Sequence, residues 1–322
     1  MSTFMNTAIG TVAVTPTVPA HDLGNTLAAG APLHEGSASL SPFPQRLPPQ
    51  RLARPRLAPQ RLWRELIARE RRLALYGALL LALLVPMAFA WGLDDRTLRG
   101  VSVWIKPMKF ALSIAVLAWT TAWFIGHLAA PRRQGRAIDL IVWMLVGCGT
   151  FELVYIALQA ALGQASHYNA ENLFYVVMYS LMGVGALGLT ATQPILAWQL
   201  HRHGDTGRPE AYRLAVRSGL VLTFILGAGA GMLLSARQPP DATAGMTVPF
   251  LGWSLAGADL RPAHFIGIHA EQVLPIAGAA IAALGLRGGR AWVWAVTIGY
   301  GALFAVAFWW GLAGWGLGRL GE

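Results

Sequence analysis

From residue 73 onward the chain alternates long apolar stretches with short polar connections. Seven stretches stand out: Leu73–Leu93, Trp104–Leu128, Ile138–Leu162, Leu173–Leu200, Leu214–Ser235, Ala263–Leu286 and Ala291–Leu312. Each is long enough for a hydrocarbon core of about 30 Å, which takes about 20 helical residues to cross. The period-2 alternation of a membrane β-barrel is missing, and helices are then the spanning element whose backbone satisfies itself in lipid. The pattern predicts an all-α polytopic bundle of seven transmembrane helices.

Residues 1–62 break this pattern. Nine of the 19 prolines lie there, and Pro-Gln-Arg-Leu recurs at Pro44, Pro49 and Pro59. Frequent proline and few large apolar residues predict a disordered, Pro/Arg-rich tail. As a basic arm it has the chemistry to hold anionic lipid headgroups. Trp63–Arg72 reads as a short interfacial helix, so the chain divides into a tail, 1–62, and a transmembrane domain, 63–322. Arg71-Arg72 and Ala88-Phe89-Ala90 mimic the flanks of a signal peptide. The long preceding tail and a 21-residue apolar run favour a retained first span.

Composition agrees with the membrane class. Of 322 residues, 55% are hydrophobic and 12% charged, against about 25% charged in a typical soluble domain. The net charge of +10 comes largely from arginine. It concentrates in the tail and in the Arg132–Arg136, Arg202–Arg213 and Arg287–Arg290 connections. That asymmetry predicts a cytoplasmic N-terminus and a periplasmic C-terminus in a bacterial inner membrane. Topology thus accounts for the basic excess, and nucleic acid is not among the expected partners; the lipid bilayer is. The sequence specifies no oligomeric state. Cys148 stands alone, excluding an intramolecular disulfide, a four-cysteine zinc site and an iron–sulfur cluster. No internal repeat of the transporter kind relates two halves of the chain.

Polar side chains inside apolar spans cost several kcal/mol when unpaired and mark candidate sites. Lys106 and Lys109 are the only lysines; with Ser113 they occupy i, i+3 and i+7 and face one way. The same spacing relates Glu152, Tyr155 and Gln159. At 1.5 Å per residue Glu152 and Lys109 fall about 15 Å and about 8 Å below the same surface, within ion-pair reach if their helices touch. The sixth stretch carries His264, His269, Glu271 and Gln272 ahead of Pro275, whose ring is expected to kink the helix nearby. The outer loop after the third stretch adds His167, in Ser166-His-Tyr-Asn169. Together Lys106, Lys109, Glu152, Tyr155, Gln159, His167, His269, Glu271 and Gln272 predict a polar cavity in the outer half of the bilayer. The inner halves hold little beyond Asp139, Gln193 and Gln199. His127, His201 and His203 read as inner-surface residues.

Trp104-Ile-Lys-Pro-Met-Lys-Phe110, Ser166-His-Tyr-Asn169 and His269-Ala-Glu-Gln-Val-Leu-Pro275 resemble motifs of an uncharacterised family of bacterial multi-pass membrane proteins. The resemblance covers the second to sixth spans and implies a topology and a set of residues, without an activity. Seven-span zinc hydrolases keep a His-x-x-x-His pair in the last span, which here has no histidine. Membrane desaturases need more histidine boxes than this chain has.

Three functional classes follow. In the first, the lysines bind a small polar or anionic ligand, for binding or transport, while Glu152, Glu271 and His269 balance charge and exchange protons. The second is an enzyme with a metal on His269, Glu271, Glu152 and His167, or a haem between two histidines. The sequence itself assigns no cofactor. The third is a structural or accessory subunit, whose helices meet closely at Gly183–Gly188 and Gly227–Gly231.

Overall fold

The computed structural model describes residues 59–241, 246–249 and 251–313. Every apolar stretch is helical there, with ends within about one turn of those expected. In chain order the helices are α1 (Pro59–Arg69), α2 (Arg71–Leu93), α3 (Ile105–Ile125), α4 (Arg136–Ala161), α5 (Leu173–His203), α6 (Glu210–Leu222), α7 (Gly229–Ala236), α8 (Arg261–Ile268), α9 (Ala270–Ala283) and α10 (Gly289–Ala313). A π-helical segment, Thr223–Ala228, makes α6 and α7 one continuous helix. Six helices are long and apolar enough to cross a membrane; α8 and α9, bent by 48° at their junction, add a seventh if they form one span. This is the all-α architecture of a multi-pass membrane protein.

The expected tail falls outside the described residues except at its end. Helix α1 is described from Pro59 and includes Trp63–Arg69 of the expected interfacial helix. It stops before Glu70, whose carboxylate accepts the Arg72 N–H at 3.0 Å and caps α2. Arg72 also donates to Asp139 in the first turn of α4 at 2.7 Å.

The main core lies among α2, α3, α4 and α5, around Leu73, Leu80, Ile125, Ile141, Leu145 and Leu196. Small residues let large ones in: the indole of Trp119 packs at Gly77 and donates to Ala74 O at 3.0 Å. Large apolar side chains face outward, among them Phe89, Trp143, Val184, Ile276 and Trp309. That is the reverse of a soluble protein and suits a lipid surround.

The loops 94–104 and 162–172 and the described parts of 237–260 gather at one end of the bundle, here the hairpin end. The first carries β1 (Thr97–Leu98) and β2 (Val101–Ser102) around Arg99 and Gly100. Both turn residues have positive φ, as a type I′ turn requires. Arg99 ties this hairpin to Asp241 and to Pro239 O. The third loop carries β3 (Thr247–Val248) and β4 (Trp253–Ser254). The opposite, arginine end holds the connections 126–135, 204–209 and 284–288, where Ala129 N–H donates to His203 O at 3.1 Å.

Helices α8 and α9 run beside the whole fifth span. An added Cβ would lie 3.2 Å from His264 at Gly231, 2.8 Å from the Gly227 backbone nitrogen at Gly267, and 2.7 Å from Ala270 O at Gly219. At Gly278 it would lie 2.3 Å from Ala215. The Gly227–Gly231 run thus does meet a neighbouring helix, through two of its three glycines. Gly229 has nothing within 4 Å. The kink falls at His269, between α8 and α9, while α9 continues through Pro275. The kink expected near His269 and Glu271, ahead of Pro275, lies there, beside the π-helical segment against which the backbone packs closely.

Candidate functional site

Two groups of polar residues occupy the bundle at different levels, and a third lies at the arginine end. At the hairpin end, Lys106 in the first turn of α3 donates to Ser166 Oγ at 2.8 Å. Ser166 Oγ lies 3.2 Å from His167 Nδ1. The His167 ring sits edge-on to Phe110 at 6.0 Å and near Tyr179 at 5.6 Å. Burial, and next the neighbouring ammonium of Lys106, push the imidazole well below its ordinary value, so His167 is neutral at pH 7. The first two motifs, around Lys106 and Ser166-His167, are therefore in contact.

Behind them is Glu152, only 1% exposed, with its Oε1 aimed at Gly185 of α5. Gly185 and Gly188 make room for Glu152 and Cys148, so α4 and α5 meet closely there, while a Cβ at Gly183 would meet nothing within 4 Å. Oε1 has no hydrogen-bond partner. Lys106 is the cation that interacts electrostatically with Glu152, without closing to an ion pair among the described residues.

The expected pairing of Glu152 with Lys109 is not what forms. Lys109 donates to Leu251 O at 3.2 Å and lies near Asp259 and Arg261. The loop reaches in because Asp259, 2% exposed, organises it: the carboxylate accepts Ser254 N–H at 2.8 Å and Arg261 Nη2 at 2.6 Å. Ser113, expected to share the lysine face, is exposed on the outside of α3. Gln159 donates to Tyr155 OH at 3.0 Å, and the Tyr155 ring packs with Met178 and Met182. These two belong to the α4–α5 seam, one and two turns from Glu152.

His269, Glu271 and Gln272 are elsewhere. Gln272 Nε2 donates to Thr120 Oγ1 at 3.2 Å and to Glu271 Oε1 at 2.9 Å, and His269 Nδ1 lies 3.1 Å from Gln272 Oε1. Thr120 is about 21 Å from Lys106 along α3 at 1.5 Å per residue. The single outer cavity expected from the sequence is thus divided into two levels. Lys109, one turn into α3, meets Leu251 O and lies near Arg261 at the start of α8, so α8 begins below the first turn of α3 and its polar residues fall deeper. Gln193, an apparent inner outlier, donates to Thr121 at 3.4 Å and so belongs near the deeper group.

The deeper group surrounds the helix break. Glu271 is 1% exposed, and its Oε2 has no partner. Its backbone N–H donates to Thr223 Oγ1 at 3.0 Å, while that hydroxyl donates to Ile268 O at 3.4 Å. Tyr300 OH donates to Ile266 O. His264 Nδ1 donates to Gly227 O at 2.9 Å. Backbone groups released by the break and by the π-helical segment thereby find partners between that segment, α8, α9 and α10.

Thr223, Thr120, Ser166, Asp259 and Tyr179 escaped the sequence reading as site residues. A threonine four positions ahead of Gly227 was the available signal for Thr223. Tyr168 and Tyr179 donate to Leu234 O at 2.5 Å and Ser235 O at 2.7 Å, closing the carbonyl end of α7. Tyr168 is held with positive φ, and burial raises its phenol above the ordinary value.

Among the described residues, no three His, Cys, Asp or Glu side chains are grouped to hold a metal ion. The set His167, Glu152, His269 and Glu271 is split between the two levels, so its members do not form one coordination sphere. No protein-family model, curated protein or solved structure matches the chain.

Proposed function

We propose that this chain is a seven-span protein of the bacterial inner membrane, with the N-terminus cytoplasmic and the hairpin end periplasmic. It binds or transports a small polar or anionic ligand. The arginine-rich connections support the orientation. The run of α8 and α9 beside the fifth span supports treating them as one broken span. The motif resemblance supports the assignment to an uncharacterised bacterial family.

One observation carries the ligand reading. Lys106 donates a single described hydrogen bond, to Ser166, beside neutral His167 and within the field of Glu152. An ammonium has three donors, and two are left for an anionic or polar group. Glu152 and Glu271 each keep one buried oxygen unpartnered, which suits carboxyls that take up and release protons.

The test is a melting-temperature screen of detergent-purified protein against acetate, succinate, citrate and amino acids. At least one raises the melting temperature of the wild type and not that of Lys106→Met. A wild type indifferent to every compound removes the reading.

A structural role is the second reading, favoured by the Gln159–Tyr155 and Gln272–Thr120 bonds, which lock the polar groups to one another. It expects Lys106→Met to lower stability with no ligand response in either protein.

A further inference from the structure

The arginine end holds a group of basic side chains that the hairpin-end reading leaves unused. Arg69, the last residue of α1, lies with its guanidinium 3.9 Å from the ring centroid of Trp123 and donates to Trp123 O at 2.8 Å. Its side chain is 10% exposed. An added Cβ at Gly126 would lie 2.5 Å from Arg69 Nη1. Arg133 comes to the same glycine, donating to Gly126 O at 2.9 Å and to Leu128 O at 3.0 Å. Between them is His127, 5% exposed, its ring 5.5 Å from that of Tyr212 on α6.

The electrostatic neighbours of His127 are Arg208, Arg69 and Arg133, with Asp205 as the opposing charge. Arg208 and Arg69 also act on Tyr212. Three cations from three connections therefore surround one buried imidazole. The carboxylates nearby neutralise them only in part, since Arg133 and Arg208 make no ion pair among the described residues. Glu65 holds Arg69 Nη2 at 2.5 Å but is itself half exposed, and Asp205 is exposed and accepts Gly207 N–H at 2.9 Å.

The donors of this group are also unsatisfied. Arg69 Nε, Arg208 Nε and His127 Nε2 are buried and have no hydrogen-bond partner. Buried donors left without a partner destabilise the fold, charged ones most. Two of them belong to side chains nine-tenths or more buried. A group with several acceptor oxygens and negative charge would relieve all three. A carboxylate has two oxygens to offer; a phosphate has three or four, matched to guanidinium forks.

We propose that the cluster of Arg69, His127, Arg133 and Arg208, closed by Tyr212, is a binding site for a phosphate group. At the rim of an apolar bundle that group is carried either by an anionic lipid or by a soluble phosphate. With its proton on Nε2, His127 donates to the anion alongside Arg69 Nε and Arg208 Nε. The site is independent of Lys106, which lies at the other end of α3.

The test uses the full-length protein and two probes. In nanodiscs of mixed phosphatidylglycerol and phosphatidylcholine, native mass spectrometry reads which lipid stays bound after release. In detergent without anionic lipid, the melting temperature is read against millimolar inorganic phosphate, with chloride at equal ionic strength as the control. Arg208→Gln is the main variant, because Arg208 makes no described hydrogen bond in the fold. Arg208→Lys keeps the charge without the fork and serves if the glutamine variant fails to fold. Retained phosphatidylglycerol, or a phosphate-specific rise in melting temperature, is expected for wild type and for Lys106→Met. Either signal is weaker by about tenfold in apparent affinity in the Arg208 variants, the loss of one charge-assisted contact. Phosphatidylglycerol alone identifies the lipid source, and phosphate alone the soluble one. If neither probe distinguishes wild type from the Arg208 variants, or if Lys106→Met abolishes the effect, the proposal is overturned.

Discussion

Thr223 and Glu271 are joined across the break in the sixth apolar segment: the threonine Oγ1 accepts the glutamate's backbone N–H at 3.0 Å. The same hydroxyl donates to Ile268 O at 3.4 Å. A break in a helix inside lipid leaves backbone groups with no water to turn to. Here one side chain serves a donor and an acceptor on opposite sides of the discontinuity, from a partner helix that is itself locally rewound.

Thr223→Val keeps the shape of the side chain and removes both bonds. The expected cost is about 1–2 kcal/mol, read as a lower melting temperature in detergent, with Thr223→Ser close to wild type. Equal melting of the valine variant and wild type would show that the break is satisfied some other way.

The glycines where α8 packs on the π-helical segment and α7 separate into two kinds. At Gly267 a Cβ would lie 2.8 Å from the backbone of Leu226 and Gly227, whereas Gly229 has nothing within 4 Å. Backbone has little freedom to yield, so Gly267→Ala loses about 1–3 kcal/mol while Gly229→Ala is near neutral. A paired thermal denaturation of the two variants checks this, and equal losses would contradict the close crossing.

Glu152 couples to Lys106 rather than to Lys109. Double-mutant cycles with Glu152→Gln should give a coupling of about 0.5–3 kcal/mol for Lys106→Met. For Lys109→Met the coupling stays within about 0.5 kcal/mol, since Lys109 answers to Leu251 O. The reverse order would restore the pair expected from depth along the sequence.

Tyr168→Phe and Tyr179→Phe each remove a donor from the carbonyl end of α7. Each is expected to cost about 0.5–1.5 kcal/mol and to speed amide exchange near residues 234–238. Unchanged exchange in both variants would mean that these phenols do not hold the helix end.

Acid should weaken the fold through two buried histidines. His167 is held well below its ordinary value by burial. His127, beyond the end of α3, is pushed down to about 3 by burial and then by Arg208, Arg69 and Arg133. A folded value below the unfolded one means that the unfolded chain binds more protons between the two. The stabilisation is complete above the ordinary value of 6.5 and for His127 is lost progressively as pH falls from 6.5 towards about 3, by at most about 1.4 kcal/mol per pH unit for each group. Melting temperatures of wild type and His127→Gln between pH 7.5 and 4.5 measure it. An acid loss as steep in the variant as in wild type would exclude His127 as a contributor.

Much of the architecture was legible in the chain because lipid imposes a length and a polarity on each span, and both are local properties. The ends of α2 and α5 followed from where apolar residues begin and stop. The contact of Lys106 with the Ser166–His167 turn agrees with their shared level beside consecutive spans. The depth of Gln272 was not legible. It depends on how far the 246–260 loop sinks, and that depends on Asp259, Arg261 and Lys109 meeting backbone groups remote in sequence.

The break at His269 was legible in part. Pro275 signals a kink upstream of itself, and the helix bends at His269, where Gly227, Gly267 and Thr223 bring two backbones together. Hydrophobic pattern and charge, read from the sequence by itself, determined the helices, their approximate ends and the residues too polar for their surroundings. Tertiary structure decided which of those residues meet, because a buried polar group is assigned by whichever partner reaches it across the bundle, and no spacing along one helix contains that information.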